Sequence, residues 1–164
     1  MGFLNSFLIV FLSFGSNVQN SKSVQDPFAI DKWNVAQAEL SGKPIFIRAN
    51  IGFRGFKDKA KYPYRIGFAF PLLKPNENGL PTHDEGNQLS AVEDTLLNAL
   101  TKKRLAFLTL VITTQGMREF VFYSNQSEAV QKQIDILKES IKSHEFQSYI
   151  ESDKNWEVFI EYAK

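Results

Sequence analysis

The sequence contains no cysteine and only two histidines among its 164 residues. Without a thiol the chain can form no disulfide, no thiolate nucleophile and no cysteine-ligated metal centre. The two histidines, His83 and His144, lie far apart in the sequence, so neither a His-x-x-x-His nor a His-Glu-x-x-His metal pair is present. The sequence therefore predicts no metal site.

The usual motifs of phosphate-binding and acyl-transfer enzymes are also missing. There is no glycine-rich phosphate loop and no Gly-x-Ser-x-Gly nucleophile turn. The paired acids Asp84/Glu85 and Glu93/Asp94 are sequence neighbours, which on a helix point to different sides and cannot face each other across a cleft as glycosidase carboxylates do. We therefore predict no catalytic residue and no cofactor, although a site assembled from distant acids stays open.

What is present is enough apolar sequence for one folded domain. Hydrophobic residues make up 43% of the chain, and aromatic residues alone make up 13%. A chain of this length supports one hydrophobic core and not two. We predict a single domain over residues 31–164, preceded by a linker over 24–30.

Periodicity along that domain predicts alternating strands and helices. Strands are expected over 33–40, 44–50, 64–70, 106–113 and 117–123, where apolar and polar residues alternate or turn residues separate β-rich runs. Two further strands are expected near 146–151 and 156–162. A helix capped by Thr82 buries a leucine-rich stripe, and a second helix with Asn125 as its N-cap buries Val130, Ile134, Leu137 and Ile141.

From residue 64 onward the predicted order is β-α-β-β-α-β, the ferredoxin-like arrangement. The expected fold class is α+β, with this core, an added N-terminal β-hairpin and an extra C-terminal strand. Each helix has one apolar stripe to bury, so both helices should lie on one face of a mainly antiparallel sheet.

The N-terminus carries an uncharged apolar run over residues 3–14. Twelve residues are too few to cross a bilayer as a helix but match the hydrophobic region of a secretory signal. We predict that residues 1–23 comprise a signal peptide and the start of the linker, that the protein is periplasmic or secreted, and that the mature chain has no transmembrane span. A buried N-terminal element in a cytoplasmic protein is the alternative.

Charge is nearly balanced overall, at +1, but it is unevenly distributed. Residues 48–65 contain six basic residues and one acid, whereas residues 119–164 contain five lysines and nine acids. Aromatic side chains interleave with the cations of the basic loop, a pattern that suits contact with an anionic ligand or another protein. The candidate partner surface consists of Arg48, Arg54, Phe56, Lys57, Lys59, Lys61, Tyr62 and Arg65. The alternative is that the aromatic residues tuck under a solvated loop.

A second candidate surface is a groove on the sheet lined by Glu85, Arg118 and Tyr123. Arg118 and Tyr123 lie on one predicted strand, and cross-strand charge pairing accounts for the same pattern equally well.

Several short landmarks give the chain a resemblance to a bacterial family, the domain of unknown function 695, over residues 30–162. They are Trp33, Gly42-Lys43-Pro44, Tyr62-Pro63, Gly79-Leu80-Pro81 with Glu85 and Leu89, Arg118-Glu119 with Tyr123, and the stretch from Asp153 to Trp156. The resemblance implies no established activity, cofactor or catalytic residue. Some members are joined to a domain similar to a protein regulator of ribonuclease E, for which this chain has no room.

Three function classes follow. The first is a small exported, non-enzymatic binding or accessory domain. The second is a ferredoxin-like regulatory module that acts on a protein or RNA partner in the cytoplasm; export would make nucleic acid a poor partner. The third is a hydrolase that uses acidic residues. The ligand and the oligomeric state are left undetermined by the sequence.

Overall fold

The computed structural model describes residues 25–164, and in that part of the chain six strands and three α-helices follow one another. They are β1 (Trp33–Leu40), β2 (Lys43–Asn50), β3 (Tyr64–Pro71), α1 (His83–Leu96), β4 (Phe107–Thr114), β5 (Met117–Ser124), α2 (Ser127–Ser140), β6 (Gln147–Ser152) and α3 (Glu157–Tyr162). Short 3-10 turns cover Pro27–Ala29, Ile51–Gly55 and Lys59–Lys61, and a π-helical turn, Leu97–Thr101, continues α1.

The strands form one sheet in the order β1-β2-β4-β5-β3-β6, and every neighbouring pair is antiparallel. The predicted α+β class and the mainly antiparallel sheet are confirmed. The long helices α1 and α2 contribute to the same hydrophobic cluster and therefore lie on one face of the sheet.

Both hairpins of the described sheet, β1–β2 and β4–β5, close with turns of two residues that both have positive φ. In the β1–β2 turn Ser41 has φ 52° and Gly42 has φ 76°, and in the β4–β5 turn Gln115 and Gly116 have φ 48° and 79°. Such turns match the right-handed twist of the strands, and glycine adopts this conformation without steric cost. Each turn fixes the register of its hairpin.

The helix starts are close to those predicted. The side chain of Thr82 caps α1 by accepting a hydrogen bond of 3.3 Å from the N–H of Glu85. The N-cap of α2 is Gln126, one residue later than the predicted Asn125. The Ser124 hydroxyl accepts the N–H of Gln126 at 2.9 Å, which delays the first helical turn by one residue.

The helix face of the sheet carries one half of the core. Leu96 of α1 is fully buried and Ile134 of α2 is 1% exposed. They pack on Phe68 and Phe70 of β3 and on the neighbouring phenylalanines of β5. The predicted apolar stripe of each helix is therefore buried.

The opposite face carries a second core built from aromatic rings. Phe53 of the turn after β2 is fully buried and stacks on Phe107 at 5.0 Å between ring centroids. Trp156 stacks on Tyr123 at 3.9 Å, and Phe159 of α3 packs on Trp156. A short helix and a loop thus cover part of this face.

The predicted last strand, near 156–162, is wrong, because Glu157–Tyr162 is the helix α3. Asp153 accounts for the difference, since its carboxylate accepts the backbone N–H of Glu157 at 2.8 Å and that of Val158 at 3.3 Å. An acidic side chain that bonds these free N–H groups starts a helix. Trp156 precedes it in the left-handed conformation, at φ 58°, and so turns the chain out of the sheet direction.

Residues 25–30 of the predicted linker lie against the domain. Asp26 forms an ion pair of 2.9 Å with Arg104, and Phe28 makes an edge-to-face contact with Phe107 at 5.3 Å. The predicted signal segment falls outside the described residues. Within residues 25–164, no helix has the length and hydrophobicity needed to cross a membrane.

Candidate functional site

The sheet face opposite α1 and α2 is only partly covered, and its open part forms a groove of about 570 Å³. Strands β2 to β6 contribute its sheet side and α3 contributes residues along it. The apolar lining consists of Ile45, Ile112, Met117 and Val158, and the ionisable lining consists of Arg65, Glu119, Tyr149, Glu161 and Tyr162. A concave, partly apolar site of this size with a few convergent polar groups fits a small ligand or a side chain of a partner.

Tyr149 is the central polar side chain of the groove. It lies on β6 directly opposite Gly67 of β3, and its ring occupies the space that a side chain at Gly67 would need: a Cβ added there would lie 2.1 Å from the ring. Its hydroxyl donates a hydrogen bond of 2.6 Å to Oε1 of Glu119, which lies on β5 across β3. Burial, and then this bond, raise the pKa of the Tyr149 hydroxyl. Tyr149 is therefore a fixed, protonated group.

The guanidinium of Arg65 contacts the ring of Tyr149. Its guanidinium lies 5.1 Å from the centroid of the Tyr149 ring and forms an ion pair with Glu151. Nε of Arg65 is buried and finds no hydrogen-bond partner within residues 25–164. Glu151, Arg65, Tyr149 and Glu119 thus form a continuous polar row across strands β6, β3 and β5.

The net charge along the groove is negative. Among the described residues, Arg65 is the single cation of the lining, and its charge is offset by the ion pair with Glu151. Glu119 and Glu161 add two carboxylates. A ligand with a cationic or hydrogen-bond-donating group therefore suits this surface better than an anion.

The groove predicted from Glu85, Arg118 and Tyr123 is divided between the two faces of the sheet. Arg118 and Tyr123 are five residues apart on β5, and successive side chains of a strand point to opposite faces, so the two cannot share a surface. Tyr123 is fully buried in the aromatic core, and its hydroxyl donates to Asp153 at 2.6 Å. Burial, with that bond to Asp153, strongly raises the pKa of Tyr123.

Arg118 lies on the helix face. Its Nε donates a hydrogen bond of 2.9 Å to the Thr113 hydroxyl. Burial lowers the pKa of Arg118, while the nearby carboxylates of Glu93 and Glu85 counter this effect. Glu85 and Arg118 are thus on the same side of the sheet, as predicted for the groove, but in a region that α1 covers.

The candidate partner surface is dispersed in the structure. Arg48 lies on the helix face, where its guanidinium stacks on Trp33 at 5.0 Å and pairs with Glu93. Arg65 lies on the opposite face, in the groove. Phe56 is 3% exposed and belongs to the aromatic core, and the Tyr62 ring packs edge-to-face on Phe107 at 5.0 Å.

The cations of the loop itself differ in what they bind. Arg54 donates from Nε to the Ala163 carbonyl at 2.6 Å and from Nη2 to the Lys164 carbonyl. Nζ of Lys59 donates to the Phe56 carbonyl at 2.8 Å, and burial lowers the pKa of Lys59. Lys61 is exposed and pairs with Asp58 at 3.0 Å, and Lys57 is exposed. Much of the predicted positive surface is therefore engaged in holding the loop and the C-terminus.

A buried polar pair that sequence reasoning missed joins Glu85 to His144. His144 Nε2 lies 3.4 Å from Glu85 Oε1, and neither side chain is more than 6% exposed. Glu85 does not complete a capping box, because its carboxylate accepts the backbone N–H of Leu73 and, at 3.3 Å, that of Lys74. Nδ1 of His144 lies 3.2 Å from the hydroxyl of Ser143, which is exposed beside a cavity of about 740 Å³.

Tyr149 was also missed, and only strand register could have found it. The pairing of β3 with β6 places Tyr149 and Glu151 opposite Gly67 and Arg65, but register between strands this far apart in sequence depends on the whole sheet. Within residues 25–164, no group of three or more histidine, cysteine or acidic side chains is arranged to hold a metal ion.

Comparisons with known proteins identify a family but no relative of known activity. No curated protein and no solved structure matches the chain. The model of a family of unknown function, DUF695, matches residues 31–163. This range includes the six strands and the three α-helices described above. This match confirms the resemblance carried by the sequence landmarks, and the chain belongs to the family of unknown function DUF695.

Proposed function

We propose that this protein is a small, exported, non-enzymatic binding domain whose ligand site is the open groove on the sheet face opposite α1 and α2. The observation that carries the proposal is the groove itself, which combines an apolar lining with the polar row of Arg65, Tyr149 and Glu119. The apolar run over residues 3–14 supports export.

The groove is pre-formed, which favours binding. Tyr149 is fixed by its hydrogen bond to Glu119 and by contact with the backbone of Gly67, so ordering it on binding costs little conformational entropy. Carboxylates at Glu119 and Glu161 favour a ligand that carries an amine or guanidinium beside an apolar body. An anionic partner would instead meet the exposed Lys57 and Lys61 of the basic loop.

A pair of matched small probes tests the site. Butylammonium and butyrate have similar apolar bodies and opposite charge, so they separate the charge preference of the groove from its hydrophobicity. In a two-dimensional amide NMR titration we expect butylammonium to shift the amides of residues 65–67, 117–119 and 147–151, with an affinity in the millimolar range that is typical of fragments this small. Butyrate should shift them less.

Two carboxylate variants provide the control. Glu119→Gln keeps an acceptor for the Tyr149 hydroxyl but removes the charge, so it should weaken the response to butylammonium. Glu128→Gln removes an exposed charge of α2 on the other side of the sheet and should leave the response unchanged. Equal responses to both probes, or shifts that do not cluster at the groove, would show that the groove is not a site of this kind.

We also infer that β3, α1, β4, β5, α2 and β6 form a ferredoxin-like unit, to which β1, β2 and α3 are additions. The spatial order β4-β5-β3-β6 with antiparallel neighbours and two helices on one face supports this assignment. The groove then lies on the open sheet face of that unit. An experimental structure with a different strand order would contradict it.

A second candidate function is hydrolysis, and one observation favours it. The hydroxyl of Ser143, the ring of His144 and the carboxylate of Glu85 follow one another at 3.2 Å and 3.4 Å, the order of groups in a nucleophile–base–orienting-acid set. Hydrolysis of p-nitrophenyl acetate that Ser143→Ala and His144→Gln both abolish, while the fold is retained, would establish it. A rate equal to that of the uncatalysed reaction would leave Glu85 and His144 as structural residues.

A further inference from the structure

Strand β1 forms an edge of the sheet within residues 25–164, and its residues 34–39 are open on both faces. It pairs with β2 over all eight of its residues without a bulge, and no other strand of residues 25–164 pairs with it. The side chains of residues 34–39 are exposed, and Val35 is 65% exposed. Trp33, at one end of the strand, is partly buried against the core.

The position of Pro44 shows which backbone groups face outward. Glu39 lies opposite Pro44, which has no N–H and therefore cannot form a hydrogen-bonded pair. Since hydrogen-bonded and non-hydrogen-bonded pairs alternate along an antiparallel ladder, Asn34, Ala36 and Ala38 direct their N–H and C=O groups toward β2. The odd-numbered residues Trp33, Val35, Gln37 and Glu39 direct theirs toward the open edge.

The composition of β1 lacks the usual protection of an edge strand. Exposed edges are normally blocked by lysines, prolines, bulges or a covering segment. Residues 33–40 contain one charged side chain, Glu39, and neither lysine nor proline. The other edge strand, β6, has only six residues and is anchored by the contacts of Tyr149 and Glu151.

We propose that β1 is a self-association surface, on which a second copy of this chain pairs through its own β1 in antiparallel orientation about a two-fold axis at Ala36. A two-fold axis requires one residue to lie opposite its own copy, because hydrogen-bonded and non-hydrogen-bonded pairs alternate. With Ala36 on the axis, Val35 lies opposite Gln37 and Trp33 opposite Glu39. In this register all four outward-facing residues of each copy pair with the other copy. If the axis moved by one residue in either direction, one of the four would have no partner within β1.

Charge complementarity favours the same register. The single carboxylate of β1, at Glu39, comes to lie beside Trp33 of the second copy, whose ring carries the guanidinium of Arg48. No like charges face each other across the axis, and the exposed Val35 side chains become diagonal neighbours on one face. Pairing of two strands alone buries little area, so we expect a weak dimer, with a Kd of roughly micromolar or above.

The test uses sedimentation equilibrium of the purified chain over about 10 μM to about 1 mM, the range in which an association of this size would be seen. Val35→Lys with Gln37→Lys places lysines opposite each other across the axis and should weaken association at least about tenfold. Val35→Lys with Gln37→Glu places each introduced lysine opposite an introduced glutamate of the other copy and should retain it, most strongly at low salt. Because Val35 lies opposite Arg48 within the chain, both variants place a lysine beside Arg48. The repulsion between these two cations therefore affects both variants equally.

Gln147→Lys makes the same kind of change on the other edge strand and should leave association unchanged, while circular dichroism verifies that each variant is folded. A parent that stays monomeric up to about 1 mM, or association that the paired lysines do not weaken, overturns the proposal. Association that is lost in both double variants overturns the register at Ala36. Binding of an unrelated extended peptide at β1 by a chain that does not self-associate assigns the edge to a different partner and also overturns it.

Discussion

The role of Glu85 in the fold differs from the one that its sequence position indicates. Its place three residues after Thr82 fits the reciprocal partner of a helix cap, yet its carboxylate bonds the backbone of Leu73 and Lys74 and approaches His144. It thereby joins three segments that are distant in sequence: the loop after β3, the first turn of α1 and the connection from α2 to β6. A buried carboxylate is tolerated there because donors surround it.

Glu85→Ala is expected to destabilise the protein by about 1–3 kcal/mol, because the partly buried N–H groups of Leu73 and Lys74 lose their acceptor. Asp84→Ala is a matched control, because Asp84 is exposed in the same helical turn, and it should cost less than about 1 kcal/mol. Denaturant melts of the two variants measure the difference. Equal losses would mean that the helix terminus, and not the buried bonds, accounts for the effect.

The raised pKa of Tyr123 predicts how the free energy of unfolding changes at alkaline pH. Its pKa is raised in the folded state by burial and by the bond to Asp153, whereas in the unfolded chain it is about 10. A raised pKa contributes stability that is complete below about pH 10 and declines above it, because the unfolded state ionises first. The stability of the parent should therefore fall toward that of Tyr123→Phe by up to about 1.4 kcal/mol per pH unit above pH 10. Tyr149 is present in both proteins, so its own titration cancels; a constant difference between them through pH 11 would contradict the assignment.

At the scale of the elements, the two faces of α2 differ in how far their side chains are exposed to solvent. Ile134 is 1% exposed and Ile136, two residues away, is 57% exposed. Ile134→Ala should destabilise by about 2–5 kcal/mol, because it leaves a cavity in the core. Ile136→Ala should change the unfolding free energy by less than about 0.5 kcal/mol. Chemical denaturation of the pair measures both values, and similar losses would mean that the helix is rotated.

The basic loop gives a second matched comparison, between cations that hold structure and cations that do not. Arg54 and Lys59 donate to backbone carbonyls, whereas Lys57 and Lys61 are exposed. Arg54→Ser with Lys59→Ser should lower the Tm by roughly 3–8 °C, while Lys57→Ser with Lys61→Ser should leave it nearly unchanged. The two variants lose the same charge, so thermal melts isolate the backbone contacts.

If both double variants melt at the temperature of the parent, the loop is held by Phe53 and Phe56 alone and its cations are only solvated surface. If both lower the Tm equally, the net charge of the loop matters and the individual contacts do not. Only an unequal effect supports a structural role for Arg54 and Lys59.

Helices, strands and turns could be predicted wherever residues close together in the sequence determine them. The groove around Tyr149 could not be predicted, because it is formed by strands that are far apart in the sequence. The stripe of α2 and the turn at Gly116 depend on residues within a few positions of one another. The placement of Tyr149 against Gly67 depends on pairing between β3 and β6, and the change of α3 from strand to helix depends on the side chain of Asp153. Arg118 and Tyr123 share strand β5, but their separation of five residues places them on opposite faces of the sheet.

For the whole molecule, the two faces of the sheet have different roles. The helix face is closed by α1 and α2 over a core of leucine and phenylalanine. The opposite face is closed only in part, by α3 and the loop that holds Phe53, and what remains open is the groove. The basic loop contributes its aromatic residues to this closure, which explains why its sequence resembles a binding surface although much of it is buried.

The apolar run near the start of the sequence predicts that the N-terminus is processed. We expect native material to lack residues 1 to about 15–23, because the apolar run over 3–14 has the length and position of a secretory signal. Within the described residues, Asp26 pairs with Arg104 and Phe28 packs on Phe107, and both contacts lie C-terminal to the expected cleavage, so they should be retained in the mature chain. Intact-mass measurement of protein isolated from its native cells, after separation of cytoplasmic from exported fractions, tests the prediction. A chain that begins at Met1 or Gly2 and is found in the cytoplasm would contradict it and would favour the regulatory-module alternative.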